Sequence, residues 1–158
     1  MPAKLKSWLK IPLLDGSLVR FRHNDDADAK RAVEIALDII PKKDLVGLKR
    51  ILVAGNSHFH FESLFSALLS VEADYEPQFR CITLYCRPLD EESDLRRARY
   101  IWLLFHEVKH HVQFFRDCIS FKDYEREKKA YEAQAELYAA KLWRRLCKKR
   151  GVVCEPME

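Results

Sequence analysis

The chain lacks the features that mark membrane-spanning, secreted and disordered proteins. Among its 158 residues no apolar run approaches the roughly 20 residues that cross a bilayer, and the stretch MPAKLKSWLKIPLLDG has no continuous apolar segment of the kind found in signal peptides. Glycine and proline number only four and six, and from this composition we expect neither a disordered majority nor a repeat architecture. We therefore expect a cytoplasmic protein that has no membrane partner.

Cysteine and net charge are also too modest to define a function. The five cysteines are odd in number, are scattered along the chain and form no CxxC pair, so they do not indicate a secreted disulfide framework. The formal charge of +4 is too small to indicate a nucleic-acid partner by itself. What remains is an ordinary globular composition, 48% apolar and 33% charged, and a length that suits one domain over residues 1–158.

The first half of the chain predicts a helix and two strands. Apolar residues at helical spacing follow an acidic cap at Asn24–Asp26 and stop at Pro41. The segments LKRILVAG (48–55) and FRCITLYCR (79–87) are short and apolar, and they end at glycine and before proline, as strands do. Between these two strands the pattern indicates a short helix.

The second half predicts two long helices. From Leu89 to Arg150 the chain contains neither glycine nor proline, and a polar segment, RDCISFKD, divides the stretch. The second helix is expected from about Tyr124 to Gly151, where the glycine follows a basic last turn. A half that contains the strands, followed by a helical pair, predicts an α+β fold in one domain.

The segment FHEVKHHVQFF in the first of these helices contains an HExxH motif. Because residues four apart lie on one face of a helix, His106 and His110 can present both imidazoles to one metal ion. Glu107, one step round the helix, stands where a carboxylate can hold and deprotonate a metal-bound water. The motif predicts a catalytic metal site, and the alternative is a pair of hydrogen-bonded histidines on a buried helix.

A catalytic zinc ion usually has three protein ligands, so a third must be sought downstream. No histidine follows His111, which leaves aspartate, glutamate or cysteine. In KKAYEAQAELYAAKLW, Glu132 and Glu136 lie one turn apart, where two like charges repel unless a cation lies between the helices. We expect Glu132 to bind the metal and Glu136 to orient a ligand histidine. The alternative is a solvated acidic face, with Lys128 and Lys129 as partners of Glu132.

HEVKH on one helix, followed by an alanine-rich EAQAE helix, resembles the gluzincin metallopeptidases, in particular the small minigluzincins and more distantly the ImmA/IrrE-type proteases. The resemblance covers residues 79–145, and the N-terminal half only in element order. It implies that His106, His110 and Glu132 bind Zn²⁺ and that Glu107 is the general base and acid. We therefore predict a zinc-dependent endopeptidase that hydrolyses peptide or protein substrates.

The same resemblance implies a zincin-like fold. In such a fold a small sheet, with an edge strand over the cleft, packs on an N-terminal helix and on two long C-terminal helices, the active-site helix and the glutamate helix. The substrate backbone pairs with the edge strand above the metal. The strand at 79–87 stands in the right order for that role, and we predict that Thr83 and Tyr85 contact substrate. The alternative is an interior strand. Tyr124 and Tyr131 are both candidates to stabilise the oxyanion.

The sequence also allows two other functions, and one way in which the C-terminal segment could inhibit the predicted peptidase. A non-catalytic metal-binding or regulatory protein would keep the fold without turnover. The basic segment KLWRRLCKKR (141–150) would suit a nucleic-acid-associated protein, although a basic last turn that complements the helix dipole explains most of its charge. The terminal segment GVVCEPME (151–158) could fold back over the cleft, where the Cys154 thiolate or the Glu155 carboxylate would block the metal.

Overall fold

The computed structural model describes residues 10–12, 18–22, 27–54, 72–85 and 93–151. Its strands are β1 (Lys10–Pro12), β2 (Leu18–Arg22), β3 (Arg50–Ala54), β4 (Ala73–Glu76) and β5 (Cys81–Tyr85). Its helices are α1 (Ala27–Ile39), α2 (Ser93–His111), α3 (Phe121–Arg126) and α4 (Lys128–Arg150). A 3-10 turn (Lys42–Asp44) follows α1, and a π-helical segment (Val112–Arg116) continues α2. The predicted α+β class is confirmed.

The five strands form one mixed sheet in the order β1-β2-β3-β5-β4. The strands β2, β3 and β5 run parallel in the middle, and β1 and β4 pair antiparallel at the two ends. The strand predicted at 79–87 is therefore interior, and its prediction as the edge strand is wrong. Its apolar sequence CITLY suits burial within the sheet, whereas the short, acidic ADYE of β4 has the composition of an edge strand.

Helix α1 confirms the amphipathic helix predicted before Pro41. It lies against α2 and also contacts α4. Its buried face consists of small and branched apolar residues at helical spacing: Ala29, Ala32, Val33, Ile35, Ala36 and Ile39. This face joins α2 and the inner side of the sheet in one hydrophobic core, which fixes α2 between α1, α4 and the strands.

The glutamate helix differs from the prediction at its start. The chain near Tyr124 belongs to α3, a separate short helix that Ser120 caps by accepting a hydrogen bond from the Asp123 amide at 3.1 Å. Glu127 leaves helical geometry, with φ −116° and ψ 26°, and α4 begins at the next residue. The predicted end at Gly151 is confirmed, since this glycine adopts φ 66° and caps the last turn.

Helix α4 packs on α2 through small side chains. Ala135 and Ala139 are fully buried in this contact, and Leu142 and Leu146 extend it toward the carboxyl end. Because an alanine carries only a methyl group, the two helix backbones approach closely near the first turns of α4. This approach brings Glu132 over His106 and His110, in the last two turns of α2.

None of the helices in the described ranges is long and apolar enough to cross a membrane. Cys147 on α4 is disulfide-bonded, which the sequence did not predict, whereas Cys81 and Cys118 are free thiols. The segment after Gly151, predicted as an inhibitory tail with Cys154 and Glu155, lies outside the described residues.

Candidate metal centre

Three side chains from α2 and α4 converge at the contact between these helices. His106 and His110 lie one turn apart on α2, and their Nε2 atoms are 3.0 Å from each other. Glu132 reaches them from α4, with Oε2 at 3.1 Å from Nε2 of His106 and Oε1 at 3.6 Å from Nε2 of His110. The sequence predicted these three residues as ligands, and the fold brings their potential ligand atoms within 4.8 Å of one another.

The orientation of the His110 ring is fixed by Gln113. The Gln113 amide nitrogen donates to the backbone carbonyl of Tyr131 at 3.1 Å, and a carbonyl can only accept, so the amide oxygen must face His110. That oxygen lies 2.9 Å from Nδ1 of His110 and therefore accepts the Nδ1 proton. The other ring nitrogen, Nε2, is left with its lone pair directed at Glu132 and His106.

His106 is oriented in the same way by Glu136. Oε1 of Glu136 lies 3.1 Å from Nδ1 of His106, where a carboxylate favours a proton on that nitrogen. In the neutral tautomer with its proton on Nδ1, the lone pair of the His106 ring is on Nε2, which faces the site. Glu136 thus lies beside a histidine, where the sequence predicted an orienting residue.

The three converging side chains offer the kinds of atom that bind a metal cation. Two imidazole lone pairs 3.0 Å apart, with a carboxylate beside them, repel one another unless a proton or a cation lies between them. Two imidazole nitrogens and one carboxylate oxygen are a common catalytic zinc ligand set, and tetrahedral zinc ligands lie about 3.3 Å apart. The residues present therefore fit a zinc ion with one open position.

The alternative reading of Glu132 as part of a solvated acidic face does not match its contacts. Its carboxylate lies 3.1 Å from Nε2 of His106 and accepts a hydrogen bond from the Tyr124 hydroxyl. In the described part of the chain no ion pair joins it to Lys128 or Lys129. Burial acts to raise the pKa of Glu132, but the Tyr124 hydrogen bond and the two histidines outweigh it, so the net pKa is lowered.

Glu107 lies beside the three donors in a cavity of about 410 Å³. Only 7% of this glutamate is exposed. Burial, followed by repulsion from the carboxylates of Asp74 and Glu132, raises the pKa of Glu107 to about 8. A carboxyl group with a pKa near neutrality can accept a proton and release it again at the same pH. Burial likewise lowers the pKa of His110, which favours the neutral imidazole that a metal requires.

Of the two tyrosines that the sequence left as alternatives, Tyr124 is the one at the site. It lines the cavity, and its hydroxyl donates to Glu132. Tyr131 stacks on the Tyr124 ring, with centroids 5.7 Å apart, and supplies the carbonyl that fixes Gln113. Burial, together with the hydrogen bond to Glu132, raises the pKa of the Tyr124 phenol, so it remains a hydrogen-bond donor.

The predicted substrate residues on β5 are not at the site. Thr83 is buried, and β5 pairs with β3 on one side and with β4 on the other, so its backbone has no free edge. The amide of Tyr85 is also occupied, since it donates to the carbonyl of Glu72. The prediction that Thr83 and Tyr85 meet substrate through an exposed edge is wrong. The strand that lines the cavity is β4, through Ala73, Asp74 and Tyr75.

Two contributors to the site were missed from the sequence. Gln113 is completely buried, and its signal was a lone amide within the apolar run VQFF directly after the histidines. Asp74 carried no comparable signal, because only the pairing of β4 at the end of the sheet places it across the cavity from Glu107. Burial raises the pKa of Asp74.

Comparison of the chain with models of protein families, with curated proteins and with solved structures finds no match. The case for a function therefore rests on the geometry and chemistry of the site.

Proposed function

We propose that the protein is a zinc-dependent endopeptidase with a zincin-like fold of the gluzincin type. The observation that carries this proposal is the convergence of His106, His110 and Glu132, with both histidine Nε2 lone pairs directed at the carboxylate. A buried carboxyl group, Glu107, stands next to the donors, as hydrolysis by a metal-activated water requires. The antiparallel strand β4, at the end of the sheet beside the helix, is consistent with a cleft of this type.

Each residue has a defined task in the proposed reaction. When bound, a zinc ion supplies Lewis acidity that activates water and polarises a carbonyl group. Glu107 accepts the proton of the attacking water and delivers it to the nitrogen of the departing amine, which completes hydrolysis of the peptide bond. Gln113 and Glu136 hold the two imidazoles in the ligating orientation.

Tyr124 is the residue best positioned to assist the carbonyl oxygen. Its hydroxyl lies at the centre, hydrogen-bonded to Glu132, and the phenol keeps its proton because its pKa is raised by burial and by that hydrogen bond. With Glu132 engaged as a ligand, this hydroxyl would be available to donate to the negative charge that develops on the carbonyl oxygen. Tyr124→Phe should lower kcat more than it raises KM.

The substrate main chain is proposed to pair with β4. Within the described residues this strand is hydrogen-bonded on one side only, to β5, and it borders the cavity that contains Glu107. An extended peptide can add to such an edge as a further strand. The antiparallel direction is slightly more stable per residue, and it places the amino-terminal part of the peptide toward Pro77, at the end of β4.

The test is zinc stoichiometry followed by peptide hydrolysis. We expect about one zinc per chain by elemental analysis of untagged protein, loss of the metal in Glu132→Gln, and retention in Glu125→Gln, a matched change of an exposed glutamate on α3. Glu107→Gln should keep the metal and lose hydrolysis. Protein that takes up no zinc would refute the proposal, and zinc uptake without cleavage of any peptide would leave a non-catalytic metal-binding domain.

A further inference from the structure

A second cavity, of about 550 Å³, opens beside the metal centre and has no part in the reaction described above. We call it the side pocket. Most of its walls are apolar side chains that come from β4, the turn after β4, the π-helical segment and the connection to α3: Tyr75, Pro77, Phe114, Phe115, Ile119 and Phe121. Four of these residues, Tyr75, Pro77, Phe114 and Phe121, also line the cavity of the metal centre, so the two cavities are contiguous.

The wall formed by Phe115 is held in place on three sides. Its ring stacks on His111 at a centroid distance of 5.3 Å and an interplanar angle of 12°, and the guanidinium of Arg80 lies 5.3 Å from the ring centroid. Below the ring is Gly47, where an added Cβ would lie 2.2 Å from ring atoms. These contacts fix the position of the Phe115 ring, which forms one wall of the side pocket.

A second fixed wall is Tyr75 on β4. Its hydroxyl bonds to Nδ1 of His111 at 2.9 Å, and the other ring nitrogen of His111 donates to the carbonyl of Val46. This chain of hydrogen bonds anchors the edge strand to α2 next to the ligand His110. The distance between β4 and the metal centre, and with it the shared wall of the two cavities, is set by these contacts.

The mouth of the side pocket exposes a large aromatic side chain. Phe121, the first residue of α3, is 68% exposed although it borders both cavities. A ligand that covers this apolar ring removes it from water, which favours binding of the ligand. The volume of about 550 Å³ lies in the range of pockets that enclose small molecules and is ample for one large side chain.

The position of the side pocket along β4 indicates which residue of a peptide would enter it. The two cavities share Tyr75 and Pro77, but only the metal-centre cavity borders Ala73 and Asp74, and only the side pocket reaches Gln78 and Arg80 beyond the end of β4. A peptide that pairs antiparallel with β4 has its amino-terminal part at that end of the strand. The residue next to the side pocket is then on the acyl side of the bond that is cut.

We infer that the side pocket is the specificity pocket of the protein and that it binds a large apolar side chain, aromatic or branched aliphatic, on the acyl side of the scissile bond. This inference rests on the proposed peptidase function and deepens it by naming the substrate class. The apolar walls select the side chain, while β4 positions the main chain over the metal centre.

Binding is tested without turnover. The zinc-loaded Glu107→Gln protein is titrated calorimetrically with two acetylated hexapeptides, Gly-Ala-Phe-Ala-Ala-Gly and its analogue with Ala in place of Phe. We expect the Phe peptide to bind roughly tenfold to a hundredfold more tightly. Adding Phe121→Ala should reduce that preference about fivefold or more. Adding Leu137→Ala should leave it unchanged, because Leu137 is equally exposed at 68% but lies on α4 outside the side pocket.

The site of cleavage is tested on the unmodified chain. Mass spectrometry of the Phe peptide after digestion should locate the cut directly after Phe. Equal affinity for the two peptides, or a preference that survives Phe121→Ala, would overturn the side pocket as the specificity pocket, even if both peptides were cleaved. Cleavage before Phe would overturn the acyl-side assignment. Selective binding without cleavage would instead refute the peptidase function and leave an apolar peptide-binding pocket.

Discussion

At the scale of single residues, each histidine of the candidate metal centre has a polar side chain beside its Nδ1 atom, Gln113 at His110 and Glu136 at His106. The two supports differ in quality. Gln113 is completely buried and is itself fixed by the carbonyl of Tyr131, whereas the side chain of Glu136 is 57% exposed. A buried hydrogen bond without competition from water holds its partner more firmly. The ring of His110 is therefore more firmly oriented than that of His106.

Gln113→Leu should weaken zinc binding about tenfold to a hundredfold, because the His110 tautomer is no longer fixed. It should also lower the free energy of unfolding by roughly 1–3 kcal/mol, since the Tyr131 carbonyl loses its donor. Competition with a chromogenic chelator measures the first effect and chemical denaturation the second. Gln113→Glu keeps an acceptor for His110 and should recover most of the zinc affinity. Equal zinc affinity in the parent and in Gln113→Leu would contradict the orienting role.

Tyr75→Phe should change the pH dependence of stability at alkaline pH. Burial raises the pKa of Tyr75 to about 12, while an unfolded tyrosine ionises near 10. The folded state thus holds its proton where the unfolded state releases it, so the parent loses stability as pH rises from about 10 to 12. The loss attributable to Tyr75 is about 2–3 kcal/mol at most.

Denaturation of both proteins at several pH values isolates this contribution, because the other buried tyrosines are common to the two. The parent should lose more stability than Tyr75→Phe between pH 10 and 12. Parallel pH profiles would show that the hydrogen bond from Tyr75 to His111 is not protected from solvent.

The residues of the candidate site that could be predicted are those that depend on helical periodicity alone. His106, Glu107 and His110 follow from the HExxH spacing, and Glu132 with Glu136 from a second pair one turn apart. Gln113 did not follow, because it lies in a π-helical segment whose wider turn changes the face on which each side chain lies. No pattern of residues in VQFFR predicts the switch from α-helical to π-helical geometry.

At the scale of elements, the close contact between α2 and α4 determines whether the three donors meet. Ala135 lies in the turn between Glu132 and Glu136 and is completely buried against α2. A larger side chain there would push α4 outward and separate Glu132 from the histidines. The small size of this residue thus allows Glu132 to reach the two histidines.

Ala135→Leu should lower the free energy of unfolding by about 1–3 kcal/mol through overpacking and should weaken zinc binding at the same time. Ala133→Leu is the matched control, because Ala133 is exposed on the same turn of α4 and the larger side chain points to solvent. Thermal unfolding and chelator competition on both variants provide the comparison. If Ala135→Leu destabilised the fold while zinc affinity stayed unchanged, the donors would not depend on the helix spacing.

Prediction at the scale of elements succeeded where the pattern was long and failed where it was short. Helix α1, the interior strands β3 and β5, and the end of α4 have apolar runs or clear terminators. Strand β4 has four residues, two of them acidic, and no run from which a strand could be recognised. Because β4 was not predicted, β5 was assigned the position at the edge of the sheet that β4 occupies. The order of strands in the sheet differs from their order in the chain.

At the scale of the whole molecule, the donors for one ion come from two helices that only the folded chain brings together. A cation that binds this arrangement and not the unfolded chain stabilises the fold by mass action. Helix α2 also contacts α1 and the sheet, so a cation bound between α2 and α4 would stabilise an element that belongs to the core.

Zinc should raise Tm over that of the chelator-treated protein. At a free concentration about a thousand times Kd, the added free energy is about 4 kcal/mol, which corresponds to roughly 8–16 °C for a domain of this size. Scanning calorimetry measures the shift. Glu132→Gln should show little or none of it, and magnesium, which prefers oxygen ligands, should not reproduce it. An equal shift in Glu132→Gln would place the stabilising ion elsewhere.

The distribution of the site along the chain has a consequence for its inheritance. The three converging side chains and the two beside them all lie between His106 and Glu136, in helices separated by one short connection, whereas the side pocket also needs β4 and the turn that follows it. The residues proposed to hold the metal are therefore encoded by one short segment of the gene. The proposed peptide selectivity depends on two separate segments, so substitutions in β4 or its turn can alter it without changing the proposed ligands.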